Sequence, residues 1–170
     1  ALDKARELMK DSLLQAGTYH HERAQSFKTR ADESDGDDAV SLMREARSSY
    51  HKAALSYQRY LERYRKDQNT YELLYLYADA LYYSEEYERA FNQYLVVRDS
   101  KLSDDHLEES AFSAILSHVE MIKIAISKGE LAPKSSLLEG GRSDNESSRS
   151  SQDEGDTIGD PQRVKPEEIP

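Results

Sequence analysis

The sequence predicts an all-α protein made of antiparallel helical hairpins stacked side by side. Three observations carry this expectation. Apolar residues recur at steps of three and four through residues 1–129, the spacing that returns to one side of an α-helix. One pattern is written twice, SSYHKAALSYQRY and EEYERAFNQYLVV, so that Tyr50, Ala53 and Tyr57 stand against Tyr87, Ala90 and Tyr94. The composition then changes sharply: the first of the four prolines is Pro133, and the last aromatic is Phe112.

The first helix, about 2–30, carries Leu2, Ala5, Met9, Leu13, Ala16, Ala24 and Phe27 along one side, with His20 in the same row. It stops at DESDGDD, where Gly36 and a cluster of carboxylates make a turn. Asp37 or Asp38 then caps a second helix, about 38–65, whose row runs through Leu42, Ala46, Tyr50, Ala53, Tyr57 and Tyr64 until RKDQN ends it. Asn69 with Glu72 has the spacing of a capping box and opens a third helix, 70–83. Ser84 with Glu85 and Glu86 starts a fourth, about 85–99. Ser103 with Asp104 and Asp105 starts a fifth, about 104–128, through Leu107, Ala111, Ala114, His118 and Ile122, and Gly129 supplies a left-handed C-cap. No segment has strand periodicity. Residues 1–129 therefore form one helical domain. Residues 130–170, rich in Ser, Gly, Pro and acidic side chains, have too little to bury to offset an ordering cost of about 1–2 kcal/mol per residue, and are expected to be a disordered tail or linker.

The matched segments fall on the second and fourth helices, so the recurring unit is a helix–turn–helix with a period of 37 from Ala53 to Ala90. The fifth helix echoes the third at a step of 33, with Leu74, Ala78 and Leu81 against Leu107, Ala111 and Ala114. Periods of this size mark helical solenoids. Alanine allows two helix backbones to approach, and aromatics a turn away fill the groove beside the crossing.

At these positions the chain resembles a tetratricopeptide repeat (TPR) protein. The best unit is LLYLYADALYYSEEYERAFNQYLVV, with Leu74, Tyr77, Ala78 and Leu81 at the packing positions of its first helix and Tyr87, Ala90, Tyr94 and Val97 at those of its second. The preceding unit keeps Tyr50, Ala53 and Tyr57. Two positions depart from the repeat: the usual closing proline is missing, with Arg65 and Leu102 in its place, and Glu85 stands where glycine is common. The Tyr-rich, slightly long units are similar to bacterial cell-envelope TPR proteins of the barrel-assembly lipoprotein and Tol-Pal coordination type. The resemblance implies a short right-handed solenoid, a periplasmic or envelope setting, and no catalysis. It also implies a concave face on which Glu72, Tyr75, Asp79, Tyr82 and Tyr83 would hold a partner. Tyrosine suits such a surface, covering much area at little rotamer cost. With carboxylates beside it, the expected partner is a basic or aromatic-rich protein segment.

Composition narrows the alternatives. A net charge of −10 excludes a phosphate-tracking nucleic-acid binder. Cysteine is absent, so thiolate chemistry is excluded. No run approaches the roughly 20 apolar residues of a membrane span. His20-His21-Glu22 lacks the second zinc-ligand histidine four residues on, where Gln25 stands, and a packing role is expected for His20. ADESDGDD lacks the ligand spacing of a calcium loop. Neither cofactor nor metal is expected, and no enzyme activity. The competing expectation is a purely structural span of a longer repeat array, without a peptide groove. About three repeats are needed for stability and the chain opens on alanine, so it is expected to belong to a larger chain or complex.

Overall fold

The computed structural model describes residues 2–65 and 67–132, and the tail expected over 130–170 lies outside the described residues save for its first three positions. Five helices follow in order: α1 (Leu2–Asp32), α2 (Gly36–Arg63), α3 (Thr70–Tyr83), α4 (Tyr87–Arg98) and α5 (Leu107–Ser127). No strand occurs among the described residues, so the chain is all-α.

Where bounds differ from expectation, the turns explain it. Asp35, in extended backbone, takes the N-cap of α2, so the helix begins at Gly36 rather than at residue 38. Glu85 adopts φ 66°, a left-handed conformation that no α-helical residue shares, and α4 therefore begins only at Tyr87. The Ser103 hydroxyl accepts from the Asp105 N–H at 3.2 Å and donates to the Asp105 carboxylate at 2.6 Å. This closed turn holds the backbone out of the helix, and α5 starts at Leu107. Asn69 is the N-cap of α3, but its side chain makes no capping bond. Asp67 does the local work instead. Its Oδ1 accepts from the Asn69 N–H at 3.0 Å and from the Tyr60 hydroxyl at 2.8 Å, while Oδ2 pairs with Lys10 Nζ at 2.6 Å. The lysine beside it holds the Asp67 carboxyl down to about 2. Gly129 has φ 75°, donates to the Ile126 carbonyl at 2.9 Å, and closes α5 with the left-handed cap expected there.

Each helix packs on its successor, α1 on α2, α2 on α3, α3 on α4 and α4 on α5. The pairs are antiparallel: Lys10 and the Arg6 carbonyl, near the start of α1, reach Asp67 and Tyr64 at the far end of α2. The core is made of tyrosine and alanine. Tyr50, Tyr57, Tyr60, Tyr77 and Tyr94 are buried against Ala24, Ala53, Ala78 and Ala90, none of which shows any surface. Ala53 and Ala90, the two matched alanines, are both fully buried in this core.

The buried residues of α1 are Gly17, His21, Ala24 and Ala31; of the expected row Ala24 is buried, Leu13, Ala16, His20 and Phe27 are half-buried, and Leu2, Ala5 and Met9 are exposed. The aromatic rings of α2 set this register. A Cβ added at Gly17 would lie 2.7 Å from Cδ1 of Tyr57 and closer still to Cε1, so only glycine lets that ring lie against α1. His21 then meets the Tyr50 ring edge-on at 5.4 Å and 83°. Its Nδ1 is buried without a hydrogen-bond partner, and burial lowers its pKa.

The inward line of α5 also differs from the expected one. Ser110, Ala114 and Ser117 are buried, while Leu107, His118 and Ile122 are exposed. By length and composition, α5 is apolar enough to cross a membrane, which corrects the expectation that no segment qualifies. Beyond Glu108 and Glu109 in its first turn, its charges are Glu120 and Lys123, which pair with each other three residues apart at 2.7 Å.

Candidate interaction surface on the third helix

The sequence TYELLYLYADALYY gives α3 two unlike sides. Leu73, Tyr77, Ala80 and Leu81 are buried. Glu72, Tyr75, Asp79, Tyr82 and Tyr83, at steps of three and four, share the other side. The five expected partner-binding residues therefore lie together, but they do not form one open surface. Glu72 and Tyr83 are exposed, and Tyr75, Asp79 and Tyr82 are half-buried.

The covered part is made by α4 and the start of α5. His106, the N-cap residue of α5, stacks its ring on Tyr75 with centroids 3.9 Å apart and planes 3° from parallel. Its Nε2 lies 2.8 Å from the Glu72 carboxylate, and its backbone N–H donates to the Tyr71 hydroxyl at 3.0 Å. Asp79 accepts a hydrogen bond from the buried Tyr94 hydroxyl of α4. Burial raises the Asp79 carboxyl to about 6, against the Tyr94 bond that favours the anion, with Glu109 and Glu72 pushing further upward. Burial likewise keeps the Tyr75 and Tyr94 hydroxyls well above the usual phenol range, so they act as donors, not as phenolates.

The open part lies at the C-terminal end of α3. Tyr83 stacks on Tyr50 of α2 at 5.0 Å and 26° and remains 42% exposed. Tyr82 stands edge-on to both Tyr83, at 5.3 Å, and Tyr87, at 5.4 Å. The result is a rigid aromatic shelf at one end of a row of carboxylates. Sequence reasoning missed His106 and Glu109, which complete the face from α5. Their signal was weak, because nothing local shows that the turn after Arg98 folds back over α3.

The packing residues of the repeat are mostly deep. Tyr50, Ala53, Tyr57, Tyr77, Ala78, Leu81, Ala90 and Tyr94 are buried, Leu74 and Tyr87 are half-buried, and Leu73 is more deeply buried than Leu74. Burial raises the Tyr57 hydroxyl to about 12. Of His20, His21 and Glu22, only Glu22 is exposed, and the two imidazoles point into packing. Among the described residues no group of three His, Cys, Asp or Glu side chains could hold a metal ion.

Compared with protein-family models, with curated proteins and with solved structures, the chain has no match in any of the three.

Proposed function

We propose that residues 2–131 are a protein-interaction module of the TPR type, holding a basic or aromatic-rich segment of a partner against the outer side of α3. The observation that carries this reading is the Tyr83 shelf. An exposed tyrosine, fixed from behind by the Tyr50 ring, stands one turn from Asp79 on a helix side whose far end carries Glu72, and a segment with cationic and aromatic side chains gains most from that combination. The repeat assignment draws support from the equivalent burial of Ala53 and Ala90. It also draws on the left-handed backbone of Glu85, at the position where the repeat commonly has glycine.

The test uses two fluorescent peptides, one of alternating arginine and tryptophan and one ending in an acidic run, titrated with the full chain. The cationic aromatic peptide is expected to bind, more weakly as salt rises, and Tyr83→Ala with Glu72→Lys is expected to abolish binding without loss of helicity. These two side chains are chosen because they are exposed, whereas changes at Tyr75, Asp79 or Tyr82 also disturb packing. Preference for the acidic peptide would overturn the proposal.

A further inference from the structure

We propose that α5 pairs antiparallel with the α5 of a second copy, making the chain a homodimer through a face that adjoins that of α3 at Glu109. The starting observation is an inversion of polarity. The side of α5 turned to the body buries Ser110, Ala114 and Ser117, with the two serines at 0% exposure. The opposite side carries Phe112, Ile115, Val119, Ile122 and Ile126, with Phe112 and Ile115 each 61% exposed. An amphipathic helix of a lone domain turns its apolar stripe inward, and this one turns it outward.

The stripe is regular enough to say what fits it. Its steps of three, four, three and four place Phe112, Val119 and Ile126 at a positions of a heptad and Ile115 and Ile122 at d. In an antiparallel pair each a residue faces a d residue of the other helix. One register sets Phe112 against Ile122 and Ile115 against Val119, each layer occurring twice by symmetry. The same register brings the e flanks together, so Glu109 meets Lys123 of the second copy on both sides of the axis and Leu116 meets its own copy at the centre. Both side chains are more than half exposed, and each would exchange a partner of its own chain, Glu109 leaving His106 and Lys123 leaving Glu120. On the other flank Ala111 meets Ala125 and His118 meets its own copy. A parallel pair would instead set His118 beside Lys123 and offer no exchange of opposite charges. The remainder of this chain is a poor occupant by composition. Beyond Ala132 its large apolar residues are Leu137, Leu138, Ile158, Val164 and Ile169, with no spacing that matches a heptad seam.

Sedimentation equilibrium of the full chain up to about 100 μM tests this, since an interface of Kd about 10 μM is then largely filled. A dimer is expected, reduced to monomer by Ile115→Glu with an unchanged far-ultraviolet spectrum. Glu109→Lys alone and Lys123→Glu alone are each expected to weaken association about tenfold, and the double variant to restore it. A chain that stays monomeric throughout would overturn the proposal and leave the face to a further helix of a longer array. A dimer indifferent to Ile115→Glu would also overturn it, as would charge reversals that do not rescue one another. Pelleting of a monomeric chain with phosphatidylcholine vesicles, lost in Ile115→Glu, would assign the face to a membrane instead.

Discussion

The aromatic lattice of α1 to α4 and the outer side of α5 treat polarity in opposite ways. In the lattice, tyrosine tips are taken inside and given partners, though His21 Nδ1 is not: the Tyr94 hydroxyl reaches Asp79, the Tyr60 hydroxyl reaches Asp67, and Tyr77 accepts from Arg89 at 2.7 Å. On α5 the serines go inward and the isoleucines go outward. Tyrosine can serve the lattice because its ring fills the groove beside an alanine while its hydroxyl bonds at the rim. Ala114 of α5 joins this lattice from one side, and the better apolar side of that helix has no cover within the described residues.

The largest expected effect is on the lattice. Gly17→Leu drives a side chain into the Tyr57 ring and should cost about 3 kcal/mol, the top of the usual overpacking range, read as a lower urea midpoint. Next comes Asp79. Its carboxyl titrates at about 6 when folded against 3.8 in the unfolded chain, so the folded state holds the extra proton between those values. Its contribution to stability is full below about pH 4 and is lost as pH rises through 6. Asp79→Asn keeps an acceptor for Tyr94 and removes the charge. It should stabilise the protein by roughly 1–3 kcal/mol at about pH 8, with the gain fading toward pH 4. Denaturation curves of both proteins across that range check the sign. The lowered pKa of His21 acts oppositely, weakening the fold as pH falls below 6.5, but it is common to both proteins and cancels in the difference. A smaller effect is expected at the hinge of the repeat: Glu85→Gly relieves a left-handed glutamate and should add about 0.5–1 kcal/mol, less whatever its exposed pair with Arg47 contributes.

The same contrast explains how much was legible beforehand. Five helices could be placed because charged and small polar runs separate them, and the tyrosine–alanine rows of α2 to α4 matched each other as well as a helical period. Faces were harder. On α1 only Ala24 of the expected row is buried, because the residue that decides the packing, Gly17, carries no hydrophobic signal. On α5, the expected row of Leu107, Ala111, Ala114, His118 and Ile122 has only Ala114 buried, because Ser110 and Ser117, which flank it at helical spacing, carry no hydrophobic signal. For the candidate site, the five residues of α3 share a side, as their spacing requires. That His106 would stack on Tyr75 depends on how the turn after Arg98 returns, which no local pattern encodes.

One paired measurement tests the division between a sealed lattice and an outward α5 most directly. Leu81, 1% exposed, and Ile115, 61% exposed, are each replaced by serine, and unfolding is followed at concentrations dilute enough to keep the chain monomeric. Leu81→Ser should cost about 3 kcal/mol or more, and Ile115→Ser no more than about 0.5 kcal/mol. Equal losses at the two sites would mean that the apolar side of α5 is already buried within the single chain, and the account would be wrong.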